Sequence, residues 1–328
     1  MWTRRKFIRL TGLVGISAFL GCRPTPRAGE TPPYPERPVT MVVPFAAGGA
    51  LDLTARALAE ATKPYFPQPI VVVNRPGGAG SVGASEVVRS KPDGYTIGIT
   101  AVAVMAVQPH LTDLPYKGPE DYQPVIKVTS SPQVLATRAE VPWNTAQELL
   151  NYARANPGRL RFGTSGIGTI LHLNMEILKS EAQVDLVHVP FGSDGETMTA
   201  LLGGHIEVGV IFPAVAVAHA QAGRIRVLGT FGEDRHPLFP EAPTFRELGY
   251  SADIAVYQFI IVPKGTPGSV VRVLHDAFMK AIESQAFKEF AAGSGYQVDY
   301  EGPEDLRRRL ARDYARFGEL VSRLKLRG

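Results

Sequence analysis

From residue 39 onward the chain alternates between two periods. Short β-branched apolar runs give way to glycine-rich loops, and the loops to stretches with apolar residues three and four apart. Val39 to Val43 reads as a buried strand. It passes through Pro44 and the adjacent Gly48 and Gly49 into a helix over Leu51 to Lys63, opened by Asp52. Ile70 to Val73 is a second strand, leading through Asn74-Arg75-Pro76-Gly77-Gly78-Ala79-Gly80 into a helix over Ser81 to Arg89. After a turn at Pro92-Asp93-Gly94, Tyr95 to Thr100 is a third strand. Strand, helix, strand, helix, strand marks a parallel α/β sheet, whose ligands sit at the carboxyl ends of its strands.

A second α/β unit follows. Two apolar runs flank Ser130-Ser131-Pro132 between Val125 and Ala136. Thr145-Ala146-Gln147-Glu148 matches a capping box and starts a helix that ends at Asn156-Pro157-Gly158. Leu160 to Gly163 is a strand, and the loop Thr164 to Thr169 leads to a helix carrying His172 and Glu176. Leu186 to Pro190 is a strand, Phe191 to Gly195 a loop and Glu196 to Leu202 a helix. Further strands are expected within Gly204 to Phe212, Arg226 to Thr230 and Ile254 to Val262, with a short helix at Thr244 to Gly249. Helices over about Ser269 to Phe290 and Pro303 to Leu324 end the chain. Leu306, Leu310, Tyr314, Phe317, Val321 and Leu324 form a packing stripe on the last one. These helices are read as returning to the first unit.

Composition refines this picture at the N-terminus. The net charge of +4 is produced there, because the first 29 residues hold six basic side chains and no acid, leaving 29 basic against 31 acidic residues. The body is nearly neutral and gives no case for nucleic acid. Thr3-Arg4-Arg5-Lys6-Phe7-Ile8-Arg9 looks like a twin-arginine export motif, and Leu10 to Leu20 is too short for a permanent membrane helix. Cys22, the lone cysteine, stands where a lipoprotein signal places its acylated residue; ordinary cleavage nearby is the alternative. Residues 1–22 are thus the export signal and 23–35 a proline-rich tether.

Enzymatic signals are weak. The seven histidines show no metal spacing, no G-x-S-x-G elbow occurs, and the single cysteine belongs to the signal. No catalytic residue, metal or cofactor is expected. Gly78-Ala79-Gly80-Ser81-Val82-Gly83 fits G-x-G-x-x-G, but it follows the second strand and lacks the acid about 20 residues on that a dinucleotide site wants. Arg56 is expected in a surface ion pair. Binding survives. Backbone N–H groups at Ala46 to Gly49 and Gly78 to Gly80, with hydroxyls of Thr164, Ser165 and Thr169 opposite, can hold carboxylate oxygens. Asp52 is expected as the N-cap of its helix, with ligand contact as the alternative. Asp194 is expected to cap the helix near Glu196, with a ligand amine or hydroxyl as its alternative partner.

Nearly everything after the tether resembles the Bug family, the substrate-binding receptors of tripartite tricarboxylate transporters. The resemblance rests on the order of YPERPVTMVVPFAAGGALDLTAR, VVVNRPGGAGSVGA, KPDGYTI, ANPGRLRFGTSGIGTILHL, HVPFGSDGETMTALLGGHIE, AGRIRVLG, APTFRELGY and VPKGTP. It implies an α/β two-lobe periplasmic-binding-protein fold (type II-like), two doubly wound sheets joined by a two-strand hinge. Lobe 1 would span 36–135 and 255–328, and lobe 2 136–254. It implies a periplasmic, monomeric receptor that clamps a small carboxylate and delivers it to membrane subunits of a transporter. A ligand-sensing module for a membrane partner, or an exported nicotinamide or flavin enzyme, are the alternatives. The expected ligand-binding residues are Phe45, Ala46, Ala47, Gly48, Gly49, Asp52, Gly78, Ala79, Gly80, Thr164, Ser165, Gly168, Thr169, Phe191 and Asp194. Three places depart from the family's pattern: Ala46-Ala47 before the glycines, an apolar Ala101 to Val104, and Gly192-Ser193-Asp194-Gly195. The apolar stretch hints at a less polar ligand tail.

Overall fold

Each glycine-rich loop named above leaves the carboxyl end of a strand and enters a helix, so the loops collect along sheet edges. The computed structural model describes residues 34–232, 234–324 and 326. The twin-arginine motif, Cys22 and most of the tether lie outside the described residues. The order is β1 (Val39–Val43), α1 (Ala50–Thr62), β2 (Ile70–Asn74), α2 (Ser81–Val88), β3 (Thr96–Ala101), α3 (Val102–Ala106), α4 (Gln108–Leu111) and β4 (Tyr122–Ser131). Then come β5 (Gln133–Arg138), α5 (Ala146–Ala155), β6 (Leu160–Thr164), α6 (Ile170–Ala182), β7 (Leu186–Pro190), α7 (Asp194–Leu202), β8 (Val208–Ile211), α8 (Pro213–Gln221) and β9 (Ile225–Phe231). The chain ends with β10 (Val256–Pro263), α9 (Gly268–Glu283), α10 (Gln285–Ser294), β11 (Gln297–Glu301) and α11 (Pro303–Arg323).

Two sheets form, in the orders β11-β4-β10-β3-β1-β2 and β7-β6-β8-β5-β9. Strands β1, β2 and β3 are parallel, as are β6, β7 and β8, but β10 runs antiparallel to β3 and β4, and β5 antiparallel to β8 and β9. Both sheets are therefore mixed, where the strand–helix alternation alone suggests parallel ones. The reason is the crossing. The chain leaves the first sheet at Ser131 and enters the second at Gln133, with only Pro132 between. A strand that has just crossed starts at the shared edge and must run away from it, against the strands that end there. β5 and β10 are those strands. β10 is buried along its whole length and sits at the centre of the first sheet.

Helices α9, α10 and α11 return to the first sheet. Leu306, Leu310, Phe317 and Val321 of α11 are buried, and Tyr314 stacks on His110 with ring centroids 4.2 Å apart. The expected helix over 269–290 is broken at Ser284, whose hydroxyl caps α10 by accepting from Phe287 N. The segment Thr244 to Gly249 is a hydrogen-bonded turn rather than a helix, with Thr244 bridging to Thr230. The sequence reading passes over α3 and α8, because neither shows a helical apolar period; α3 (VAVMA) is buried on every side.

A single buried side chain straps the two crossings. Asn174 of α6 is fully buried, donates to Gln133 Oε1 at 2.7 Å and to Ile254 O at 2.9 Å, and accepts from Ile254 N at 3.1 Å. Gln133 opens β5 and Ile254 precedes β10, so one amide ties the outward and return segments together. Removing it strands buried polar groups, which is costly. Asn174→Ala is expected to lower stability by about 2–4 kcal/mol, read as a lower urea midpoint at unchanged slope. A loss below about 1 kcal/mol would mean that water replaces the side chain.

Candidate ligand cleft

The first loop is rigid because of its own carboxylate. Asp52 is buried and stands in the third position of α1, while Gly49 is the N-cap and has no side chain to cap with. Asp52 reaches back instead. It accepts from Gly48 N at 2.9 Å, from Asn74 Nδ2 at 2.9 Å and from Arg56 Nε at 3.0 Å. Asn74 also donates to Phe45 O at 2.9 Å. Burial pushes the Asp52 carboxyl up, but the Arg56, Gly48 and Asn74 bonds outweigh it and hold the pKa below the usual range. Both oxygens are taken, so Asp52 braces the loop, neither capping α1 nor lining the cavity. Arg56 forms the expected ion pair with it, at 3.0 Å. Asn74, which the sequence did not single out, completes the brace from the end of β2.

The starts of α1, α6 and α7 converge on one narrow cavity of about 30 Å³. Lobe 1 contributes Phe45, Gly49, Ala50 and Leu51 from the first loop, Ala101, Ala103 and Val104 around α3, and Val256 and Gln258 of β10. Lobe 2 contributes Ser165, Thr169, Ile170 and Leu171 at the start of α6, Ser193 and Asp194 at the start of α7, and Phe212 at the end of β8. Among the described residues, no Lys, Arg or His side chain lines it. The positive field comes from backbone alone, since the first N–H groups of each helix lack intrahelical partners and carry the positive end of the dipole. The apolar walls at Ala101, Ala103 and Val104 are the stretch that hinted at a less polar ligand tail.

The lobes touch around this cavity through small residues. A Cβ placed on Gly49 would stand 3.3 Å from the Ser193 Cβ, and one on Gly195 3.4 Å from Gly48 O. A Cβ on Gly166 would come within 2.9 Å of the Ala79 Cβ, and one on Gly168 would run into Leu111 Cδ1. Gln108 Nε2 donates across the gap to Ile167 O at 2.7 Å. Gly78, Ala79 and Gly80 thus face the other lobe or pack behind the wall; Gly80 abuts Phe45 and Val104. Ala46 is half-buried, Ala47 and Gly48 are exposed, and Phe191 packs against Gly163 below the fourth loop.

Thr164 and Thr169 spend their hydroxyls on the third loop itself. Thr164 Oγ1 meets Gly166 O at 3.1 Å and His188 Nε2 at 2.8 Å. Thr169 donates to Gly166 O at 2.9 Å and caps α6 by accepting from His172 N at 3.3 Å. Underneath, the His172 and His188 rings stack at 4.1 Å, and Gly168 N donates to His172 Nδ1 at 3.1 Å. Burial, helped by His172, holds His188 down at about 3, so it is neutral. Burial pushes Glu176 up, and His172 and Lys179 more than reverse it, leaving it at about 2. The His172–Glu176 pair therefore supports a loop.

Asp194 is the exception to this economy. Ser193, not Asp194, caps α7, accepting from Glu196 N at 3.2 Å. Asp194 is 5% exposed, lines the cavity, and its Oδ1 has no hydrogen-bond partner. Burial pushes its carboxyl up to about 7, with the Ser165 hydroxyl and its own backbone N–H pulling the other way. Of the residues expected to bind, Phe45, Gly49, Ser165, Thr169 and Asp194 wall the cavity. Ala50, Leu51, Ile170, Leu171, Ser193, Phe212, Val256 and Gln258 do so without having been singled out. Ser193 had a legible signal, a serine three residues before Glu196 at a helix start; Gln258 had none.

Comparison with known proteins follows the same lines. Residues 54–326 match the family profile of the tripartite tricarboxylate transporter family receptor. A UPF0065 protein from the gbd 5′ region of Cupriavidus necator is 36% identical over 289 residues, 88% of each chain. The structure of the periplasmic binding protein BugD superposes with a TM-score of 0.85 at 29% identity, over 90% of this chain and 99% of BugD. MatC from Rhodopseudomonas palustris with bound malate superposes with a TM-score of 0.83 at 26% identity, over 88% of this chain and all of MatC (100%). The fold is thus the α/β two-lobe fold of periplasmic binding proteins, built on two mixed sheets.

The Asp194 carboxyl carries a signature in the unliganded protein. Its folded pKa lies above its unfolded value, so the native state holds the proton longer. Stability is therefore lost as pH rises from about 4 through about 7. Asp194→Asn removes this dependence. The stability of Asp194→Asn relative to wild type should grow over that range by up to about 4 kcal/mol, measured by urea denaturation at each pH. A difference that stays flat with pH would mean that Asp194 has a bonded partner in the unliganded cleft.

Proposed function

Since this chain belongs to the tripartite tricarboxylate transporter receptor family, the Bug receptors, we propose that it closes on one small carboxylate ligand. We also propose that it delivers that ligand to the membrane subunits of a tripartite transporter. The family is one of solute receptors and not of enzymes. The observation that carries the proposal is the convergence of the α1, α6 and α7 starts from both lobes on a cavity with no cationic side chain. Such a site recognises an oxyanion by backbone N–H groups and becomes complete only when both lobes are together. MatC, with its bound malate, supports a carboxylate as the ligand class. The apolar walls favour one that carries apolar surface as well.

Export is part of the same reading. Thr3 to Arg9 matches a twin-arginine motif, and Cys22 is a candidate lipid attachment site that would hold the receptor at the membrane surface. Among the described residues no helix is long and apolar enough to cross a membrane. BugD is described as a periplasmic binding protein, and we assign this chain to the same compartment, acting as a monomer.

Calorimetry with a panel of mono-, di- and tricarboxylates and acidic amino acids tests the proposal. Saturable binding to at least one is expected, and a folded protein that binds none overturns it. Gly49→Val sharpens the test. Gly49 has φ −80°, which valine accepts, and a Cβ there meets Ala46 O and, across the cleft, Ser193 and Asp194 N. Binding should fall by at least about a hundredfold, or roughly 2.7 kcal/mol, while the unliganded melting temperature stays near that of wild type. Gly48 is the poorer probe, because its φ of +80° would itself strain a valine. Normal binding by Gly49→Val would remove the first loop from the site.

A further inference from the structure

We propose that the cleft selects ligands that carry a protonated amine as well as a carboxylate, and that Asp194 is the group that receives the amine. This inference rests on the carboxylate reading and narrows it. It starts from one atom. Asp194 Oδ1 is buried in the cavity wall without a partner, and burying a carboxylate oxygen with nothing to accept from is expensive. The protein does not spend Asp194 on structure, because Ser193 already caps α7.

Among the described residues, the Ser165 hydroxyl is the cavity group that reaches the Asp194 carboxyl, and Oδ1 still has no partner. Asp194 is the cavity's one charged lining residue among the described residues. Gln258 is committed elsewhere, accepting from Thr129 Oγ1 at 3.2 Å, with its Nε2 at 3.5 Å from Tyr296 Oη. Of the titratable groups around it, Tyr296 precedes β11 and is itself pushed up, chiefly by burial and further by Asp194. Glu196, on α7, is exposed and accepts from Gly192 N at 2.9 Å. Oδ1 is thus the acceptor left open to a donor on the ligand.

A hydroxyl would satisfy the hydrogen bond, but beside the ligand carboxylate Asp194 would then either repel as a like charge or be held to its proton. A second ligand carboxylate would add to this. An ammonium reverses the sign of the nearer interaction and leaves the buried set close to neutral, the condition under which buried charges are tolerated. The rest of the wall, with Phe45, Leu51, Val104 and Phe212, suits an aliphatic or aromatic body between the two charged ends.

The binding reaction then has a proton signature. Asp194 is partly protonated near neutral pH in the empty cleft, and an arriving ammonium displaces that proton. Calorimetry near pH 7 in two buffers of different ionisation enthalpy reads this directly. The probes are matched pairs: aspartate against succinate, 4-aminobutanoate against butanoate, and leucine against 4-methylpentanoate. In at least one pair the amino member should bind at least about tenfold more tightly, release a fraction of a proton, and tighten as pH rises from about 6 to 8. Asp194→Asn should weaken the amino member and strengthen its plain counterpart, so that the preference falls or inverts. Plain acids that match or exceed every amino partner, proton uptake on binding, or a preference that survives Asp194→Asn would overturn this inference while leaving the carboxylate receptor standing. A folded protein that binds no member of the panel would overturn both.

Discussion

The unpaired N–H groups at helix starts are the constraint from which the rest of this structure follows. In each lobe the parallel strands end at one edge, and each is followed by a helix that begins there. The donors of α1, α6 and α7 are thereby gathered without any side chain being asked to carry positive charge. A field made of backbone has consequences. It is fixed by the fold and insensitive to pH, and it is strongest where water is excluded, so the two lobes must meet for it to act fully. The brace around Asp52 fits this logic. A carboxylate at the third helical position would oppose a bound anion if it faced the cavity. Here it is turned away and held by Gly48, Asn74 and Arg56, so it shapes the loop and leaves the field open.

The same constraint explains why the residues facing each other across the gap are small. Gly49 lies opposite Ser193, Gly195 opposite Gly48, and Gly166 opposite Ala79. Close approach of backbones is what places donors from two lobes around one ligand, and a Cβ at these contacts would hold the lobes apart. Gly166, with φ +131°, is held to glycine by its backbone as well as by its neighbour. The strands that carry the chain across complete the arrangement. β10 runs from the shared edge into the centre of the first sheet, and Asn174 fastens its approach to the start of β5. The hinge and the cavity therefore share an element, because Val256 and Gln258 of β10 belong to the wall.

Much of this was legible from local pattern. β1, β2, β6 and β7 are apolar runs closed by turn residues, and the helices after them begin where capping signals or glycines predict. What was not legible depended on neighbours distant in sequence. The antiparallel course of β5 and β10 follows from the crossings, which no local period records. Helix α8 (PAVAVAHAQ) has a proline at its first position, but its apolar residues alternate and obscure the helical period. Asp52 was misplaced by a helix boundary a few residues away, which decides whether a side chain caps its helix or reaches back past the cap. Asn74 acts through residues 29 and 22 positions away, and Gln258 through a strand the chain reaches only after building the second lobe. Asp194 stood in a loop that could be seen to be unusual, but whether it was a cap or a ligand group depended on Ser193 taking the capping role first.

Asp194 also breaks the symmetry of the cavity. Standing at the first position of α7, its carboxylate offsets the positive end of that helix, whereas α1 and α6 open on Gly49 and Thr169 and keep theirs. The cleft is therefore not uniformly attractive to anions. Its attraction concentrates between the first and third loops and weakens or reverses toward the fourth. A ligand with charge of both signs would lie along that gradient, with its carboxylate toward α1 and α6, its amine toward α7, and its apolar body against Val104 and Phe212. A ligand with a single negative end could still bind at the first and third loops, but it would leave Oδ1 of Asp194 buried and unpaired. On the proposed reading, the backbone would set the class of ligand this cleft admits, and one side chain the choice within that class.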